Sequence, residues 1–463
     1  MEQKRLAINL KPTQILVLGF LFAIVFGAML LSLPIASQDG KSIEFVDALF
    51  TATSAVCVTG LVVVNTLEHW TMFGKLVILF LIQIGGLGFM TITTTLFIIL
   101  GKKIRLKERL IIQEALNQYS LSGMVRLAKN VVLGTIMIEV IGAVLLVISF
   151  YPKYGQDAIF MGIFHSVSAF CNAGFDIVGD SSLTGYVGHG LMNITIMTLI
   201  VIGGIGFTVW IDYIKMFKEK KKYQLSYRRA FHRLPLHTKL VTSITASLII
   251  IGFLFFFIVE ASNPATLGNL SLKEKLLGSM FQSVTSRTAG FNTLNLPGMN
   301  DASKFMTIIL MFIGGSPSGT AGGIKTVTFG VLFLAVVSVT RGRDDVEAYS
   351  KRISWDIVKR AMAVMMISIT VIITSTMLLS LTQTSISDKF AFMDIFFEAV
   401  SAFGTVGLSF GLTQSLTDIG KLIICATMFI GRLGPVTMMV AFSLRDKKSK
   451  CFIRRPEEKI MVG

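Results

Sequence analysis

Long apolar runs alternate with short polar ones along this chain, and the alternation has a four-part rhythm. Residues 14–33 are apolar over 20 positions, enough at 1.5 Å per residue to cross a hydrocarbon core of about 30 Å. Pro34 closes the run. Residues 45–55 form an apolar segment half as long that begins near Asp47, which fits a re-entrant half-helix rather than a span. A polar stretch with Glu68, His69 and Trp70, the last suited to the interface belt, leads into a second span over about 72–100. The same unit of span, half-helix, loop and span then returns three times. Its half-helices fall at 157–170, 273–286 and 392–403, between spans at 127–150 and 188–217, 237–259 and 303–340, and 357–381 and 420–443.

The predicted fold is an all-α membrane protein in which four span/pore-helix/span repeats surround a pseudo-fourfold central pore. It has eight transmembrane helices and four re-entrant pore loops. The repeats occupy 14–100, 127–217, 237–340 and 357–443, flanked by an N-terminus 1–13 and a tail 444–463.

Each half-helix runs into a short stretch that ends on glycine and then Leu or Phe. The four are Ser54-Ala-Val-Cys-Val-Thr-Gly60-Leu61, Ser168-Ala-Phe-Cys-Asn-Ala-Gly174-Phe175, Val284-Thr-Ser-Arg-Thr-Ala-Gly290-Phe291 and Ser401-Ala-Phe-Gly-Thr-Val-Gly407-Leu408. Aligned on that glycine they recur at intervals of 114, 116 and 117 residues, as one loop copied four times. Irregular backbone at membrane depth is tolerated only when buried in protein or lining a wet cavity. Carbonyl oxygens of such backbone can replace the hydration shell of a cation without net charge. Glycine permits the necessary backbone angles, and each half-helix aims its partly negative C-terminal end at the same place. Thirteen residues before the glycine stand Asp47, Met161, Leu277 and Asp394. The two aspartates either answer the helix dipole or attract ions.

A second motif lies about 25 residues beyond each loop: Ile84-Gly-Gly-Leu-Gly88, Ile202-Gly-Gly-Ile-Gly206, Ile313-Gly-Gly-Ser-Pro317 and Ile430-Gly-Arg-Leu-Gly434. In the first two copies small residues allow close helix packing. The third opens into Gly314-Gly-Ser-Pro-Ser-Gly-Thr-Ala-Gly-Gly-Ile-Lys-Thr326, with five Gly and one Pro in thirteen residues, through which no helix persists. It has the composition of a phosphate-binding loop, but Ile324 separates Gly323 from Lys325 and the order Gly-Lys-Ser/Thr is absent. It reads as an unwound intramembrane loop bordering the pore. In the fourth copy Arg432 takes the place of Gly86, Gly204 and Gly315. A mid-span arginine is a functional candidate because lipid exposure is costly; it is either a charged barrier below the loops or a clamp between helices. Glu139, alone in its span, is either a structural acid or a proton-coupling group. Arg287, three residues before Gly290, suits an anchor behind its loop.

Composition and charge narrow the function. The 463 residues are 53% hydrophobic and 15% charged, with a mean hydropathy of +0.71, which marks a polytopic membrane protein. The formal charge of +16 does not indicate nucleic acid, because no soluble basic domain carries it. Segments 1–13, 101–126, 217–239, 341–360 and 444–463 hold 3, 6, 8, 6 and 7 Lys and Arg, 30 of the 43. By the positive-inside rule both termini are cytoplasmic and the glycine loops enter from outside; the same basic segments suit anionic membrane lipids. Cys57, Cys171, Cys425 and Cys451 form no Cys-x-x-Cys pair and the five histidines show no ligand spacing, so neither a disulfide framework nor a metal site is expected. No nucleophile and base constellation points to an enzyme.

Four copies of span, half-helix, glycine loop and span, with Gly314-Gly-Ser-Pro-Ser-Gly-Thr-Ala-Gly-Gly323 in the third inner helix and Gly431-Arg-Leu-Gly-Pro435 in the fourth, resemble the Ktr/Trk/HKT superfamily of potassium transporters. With no extra helix pair before the first repeat, the chain looks more like the KtrB type of membrane subunit than its longer TrkH relatives. The resemblance implies a channel-like K⁺ uptake subunit of the plasma membrane. It implies a homodimer with one pore per protomer, often stimulated by Na⁺, with no organic cofactor, and gated by a cytosolic ring of KtrA-like, RCK-type nucleotide-binding subunits. Carried onto matching positions, the potassium filter is Val58, Thr59, Gly60, Asn172, Ala173, Gly174, Thr288, Ala289, Gly290, Thr405, Val406 and Gly407. The gate is Gly314, Gly315, Ser316, Pro317, Ser318, Gly319, Thr320, Ala321, Gly322, Gly323 and Lys325 together with Arg432. In plant relatives a serine at the first filter glycine goes with Na⁺ preference; Gly60 favours K⁺. The alternative is a Na⁺- or H⁺-coupled potassium symporter, which would want an acid pair on the path.

Overall fold

Apolar sequence and helix length go together in the computed structural model, which describes residues 12–88, 124–179, 182–382, 390–435 and 437–438. First come α1 (Pro12–Leu31), α2 (Phe45–Val56), the one-turn α3 (Thr66–His69) and α4 (Met72–Leu87). Next are α5 (Met124–Tyr154), α6 (Asp157–Cys171), α7 (Gly190–Gly204), α8 (Phe207–Tyr223) and the short α9 (Tyr227–His232). They are followed by α10 (Leu236–Glu260), α11 (Leu272–Thr285), α12 (Asp301–Phe312) and α13 (Thr326–Thr340). A small antiparallel hairpin of β1 (Val346–Ala348) and β2 (Lys351–Ile353), with Val346 opposite Ile353, precedes α14 (Trp355–Thr382), α15 (Phe392–Gly404) and α16 (Asp418–Leu433).

Helices α1, α5, α10 and α14 are long and apolar enough to cross a membrane. Their outward faces keep large apolar side chains such as Phe22, Met137, Ile258 and Leu381 exposed, as a lipid-facing surface requires. The chain is a multi-pass membrane protein. The segments expected at 1–11, 89–123 and 441–463, Cys451 among them, lie outside the described residues.

The short helices α2, α6, α11 and α15 begin and stop where the sequence places the half-helices, to within a residue or two. Local chemistry starts two of them. At α11, Ser271 accepts the Glu274 N–H while the Glu274 carboxylate accepts the Ser271 N–H, a reciprocal cap. At α15, Asp394 accepts the Ala391 N–H at 2.9 Å. Asp47, on α2, pairs with Lys421 on α16 at 2.5 Å. Both aspartates therefore serve helix ends and helix contacts.

Packing between the four sets is cyclic. Helix α4 packs on α6, α7 on α11, α12 on α15 and α16 on α2. Glycine permits the approach of each second helix to its own half-helix: a Cβ on Gly85, Gly203 or Gly431 would strike the carbonyl oxygen of Val56, Phe170 or Phe403. The third set departs, since Gly314 faces the carbonyl of Gly322 within its own unwound segment.

One segment differs from the expected straight span over 188–217. Helices α7 and α8 meet at a 98° bend. Gly206, at φ +98°, turns the chain there, and the Phe207 N–H is taken by the carbonyl of Ser318 at 2.9 Å. The unwound segment of the third set thus supplies the hydrogen bond that α8 would otherwise have made to α7.

Candidate functional site

The four loops share one backbone course. Two residues before each glycine, Val58, Asn172, Thr288 and Thr405 have φ of +52°, +59°, +71° and +51°. Gly60, Gly174, Gly290 and Gly407 follow at +91°, +71°, +82° and +92°. The left-handed region is costly for β-branched residues such as Val58, Thr288 and Thr405, at about 1–3 kcal/mol each, and such strain persists only where surroundings enforce it. Here the half-helix ends enforce it. The N–H groups of Thr59, Ala173 and Val406 bond to the carbonyls of Ser54, Ser168 and Ser401 at 2.8, 2.8 and 2.9 Å, while Ala289 N–H uses Thr285 at 3.0 Å.

Above that turn the loops close on one another. A Cβ placed on Gly60 would meet the carbonyl oxygen of Ala173; on Gly174, that of Ala289; on Gly290, that of Val406; and on Gly407, that of Thr59. Each glycine therefore faces the carbonyl of the next loop, and the sequence of contacts returns to its start. Any side chain at these positions would enter the same small space. Below the ring, the Asn172 amide joins two loops: its oxygen accepts from Thr288 Oγ1 at 3.2 Å and its nitrogen donates to Ile200 O at 3.2 Å and Ala169 O at 3.1 Å. On the other side a cavity of about 440 Å³ opens over the four glycines.

The segment 314–326 lies directly under the ring. Ser316 and Thr320 donate their N–H groups to Gly204 O and Gly203 O at 2.9 and 3.2 Å. The Thr320 hydroxyl reaches Phe170 O at 3.2 Å, and Ser316 Oγ bonds Thr326 Oγ1 at 2.9 Å. Pro317 O abuts Gly206, and Gly319 packs against the carbonyls of Gly203 and Gly204. A Cβ on Gly322 would strike Thr405 Oγ1, and Gly323, at φ +63°, lies against Gly404. The Thr326 N–H closes the segment on Gly315 O at 3.0 Å. Lys325 Nζ folds back on Ala321 O at 2.6 Å. Two arginines, Arg287 buried and Arg432 half-buried, hold the segment from either side. Arg432 donates to Thr320 O and to Gly85 O, spanning from the segment to α4. Arg287 Nη2 donates to Gly314 O at 3.4 Å.

The comparisons with known proteins cover almost the whole of this arrangement. The family of TrkH cation transport proteins matches residues 11–451. This chain belongs to the TrkH family. It is 43% identical over 98% of both chains to the Ktr system potassium uptake protein B of Bacillus subtilis. It is 41% identical to the potassium/sodium uptake protein NtpJ of Enterococcus hirae, over 100% of this chain and 99% of that one. Against the Ktr system potassium uptake protein B of Vibrio alginolyticus the identity is 38%, over 97% and 94%. The crystal structure of the potassium transporter TrkH from Vibrio parahaemolyticus matches with a TM-score of 0.71 and 18% identity, covering 96% of this chain and 87% of that one. At that identity the likeness speaks for the fold. As a TrkH-family member the protein is a potassium/cation transport protein and not an enzyme.

Several residues that hold the TrkH-family site together were not singled out from the sequence. Ser54 and Ser401 hydroxyls accept the N–H of Gly60 and Gly407 at 3.1 and 3.2 Å. Ser168 and Thr285 hydroxyls donate to the carbonyls of Phe175 and Phe291 at 2.7 and 2.5 Å. The signal was present, since three of these stand six residues before the glycine. Nine residues before the glycine, buried His165 accepts the Ile177 N–H at 3.3 Å, and buried Glu398 accepts the hydroxyls of Ser409, at 2.8 Å, and Thr413. They brace the segments leaving loops two and four. Glu139 sits behind α6, where its carboxylate accepts from Gln83 Nε2 at 3.2 Å.

Proposed function

We propose that this chain takes up K⁺ across the cell membrane as the pore-forming, channel-like subunit of a Ktr-type system. The observation that carries the reading is the closed cycle in which each loop glycine faces a carbonyl of the next loop. Four span/pore-helix/span repeats, at 14–100, 127–217, 237–340 and 357–443, then give eight transmembrane helices around a pseudo-fourfold pore. Carbonyls of Val58-Thr59-Gly60, Asn172-Ala173-Gly174, Thr288-Ala289-Gly290 and Thr405-Val406-Gly407 replace the water of a dehydrated K⁺. The names of the Bacillus and Vibrio relatives support potassium as the ion, and that of the Enterococcus relative keeps Na⁺ in view.

Segment 314–326 and Arg432 act as the gate. The segment fills the space under the ring, and its ties to Gly203, Gly204 and Arg432 are hydrogen bonds that a rearrangement can break and remake. A homodimer, cytoplasmic termini and an RCK-type nucleotide-binding ring on the basic cytosolic side complete the assembly. Glu139 is engaged by Gln83 behind the half-helix, which favours the channel-like reading over a symporter coupled through this acid. Rb⁺ influx into proteoliposomes, with Na⁺ present and absent, tests the reading. Gly174→Asp is expected to abolish influx in protein that still inserts and purifies as wild type; unchanged Rb⁺ influx would overturn it.

A further inference from the structure

The four loops are alike at the glycine but not two residues beyond it. There stand Val62, Asp176, Asn292 and Ser409, all lining the 440 Å³ cavity over the ring. The lining segments 60–66, 174–179, 290–297 and 407–414 hold one ionisable residue, Asp176. Asp180, its neighbour in sequence, lies outside the described residues.

Two groups hold the Asp176 carboxylate. Its Oδ1 accepts the Val178 N–H at 3.4 Å and Ser182 also bonds its carboxylate. Ser182 in turn accepts the Asn292 N–H at 3.5 Å, and the Leu183 N–H donates to Asn292 O at 3.0 Å. The loops of the second and third repeats are thereby stitched together at the lip, with Asp176 and Asn292 on either side of Ser182. Asn292 Oδ1 is buried and, among the described residues, has no hydrogen-bond partner. A carbonyl oxygen without a protein donor is open to a water or a cation, and a carboxylate on the same lip favours the cation.

Ser409, at the same register in the fourth loop, is committed to Glu398, and the side chain of Val62 in the first is apolar. At this register, then, the side chains placed to face a cation are those of the second and third loops. A cation leaving bulk water would exchange part of its hydration shell there before meeting the ring, where the remaining shell is replaced by backbone oxygens.

We propose that Asp176 and Asn292 form an outer cation site that holds a partly hydrated monovalent cation and loads it into the ring of glycines. This rests on the reading of the ring as the ion path, and its test is a shift in apparent affinity rather than a loss of transport. Rb⁺ influx into proteoliposomes is measured as KM and Vmax. Asp176→Asn is expected to raise KM about fivefold, the factor given by about 1 kcal/mol of attraction in a water-filled mouth, with Vmax unchanged. Asp176→Glu should restore most of the affinity, Asn292→Ala should raise KM by a smaller factor, and Asn292→Asp should lower it. Unchanged KM in both Asp176→Asn and Asn292→Ala would overturn the site. So would a KM shift in Asp176→Asn that vanishes at high ionic strength while Asn292→Ala has no effect, because that pattern belongs to diffuse attraction. A wild-type protein without Rb⁺ influx would instead count against the pore reading.

Discussion

The ring of glycines and the layer beneath it use the same repeat in opposite ways. In the ring, four stretches of unlike sequence adopt one backbone course, with left-handed residues two before the glycine and at the glycine itself. In the layer below, four stretches that all begin as Ile-Gly diverge: α4 and α16 end at Gly88 and Gly434, α7 bends by 98° into α8, and the third copy unwinds over 314–326. Equal geometry from unlike side chains means the backbone is what the ring presents. Unequal geometry from related sequence means that the layer below is built for contacts made once, such as Arg432 with Thr320 and Gly85. On the function proposed above, recognition of an ion belongs with what is shared, and control with what is not.

The sharpest way to break this comparison is to separate backbone strain from closure of the ring. Gly290 and Gly411 both have positive φ, +82° and +94°. A Cβ on Gly290 would strike Val406 O, whereas a Cβ on Gly411 would meet nothing within 4 Å. Both alanine variants therefore carry a backbone penalty of about 1 kcal/mol, but only Gly290→Ala also disturbs the ring. Overpacking of about 3 kcal/mol corresponds to a roughly 100-fold loss of the competent state. Rb⁺ influx should fall by that order in Gly290→Ala and stay near wild type in Gly411→Ala. Equal losses in the two would mean that strain, not the ring, limits transport.

Sequence showed the half-helices and the loops well because their signals are local. Length of apolar run, a polar start such as Asp47 or Glu274 and a terminal glycine all lie within some fifteen residues, and α2, α6, α11 and α15 fall where those signals put them. The break between α7 and α8 was not legible, because its cause is distant: Ser318 takes the Phe207 N–H from more than a hundred residues away. The partners of Arg432 were hidden for the same reason, at separations of 112 and 347 residues. Glu398 was overlooked since an acid in a half-helix looks like any other until the structure shows Ser409 and Thr413 donating to it.

A smaller effect is expected in the layer below. Arg432→Ala removes two charge-assisted hydrogen bonds to carbonyls, and such bonds contribute about 1.5–3 kcal/mol each. If they hold segment 314–326 under the ring, their loss shifts the balance toward the open arrangement, and Rb⁺ influx should rise roughly tenfold with K⁺ over Na⁺ preference retained. Arg432→Lys should fall between the two, because a lysine cannot span both carbonyls with one planar fork. Lower influx in Arg432→Ala, with less protein inserted, would make the arginine a clamp for assembly and not for control.

The smallest effect sharpens the comparison at its edge. Two of the contacts between the fourth and first repeats are Arg432 to Gly85 in the lower layer and Lys421 to Asp47 at the start of α2. The second joint lies at the opposite end of α16 from Arg432 and touches neither the ring nor segment 314–326. Its side chains are 12% and 18% exposed, so it is partly shielded from solvent, and an ion pair in that setting contributes about 1 kcal/mol. Lys421→Ala should therefore lower the thermal midpoint of the purified protein by about 2 °C, with influx and ion preference unchanged. The exchanged pair Asp47→Lys with Lys421→Asp should recover the midpoint. A change in K⁺ over Na⁺ preference in Lys421→Ala would mean that the ring feels the closure of the repeat circle, and that its shared geometry is imposed from the seams between repeats as well as by the half-helix ends.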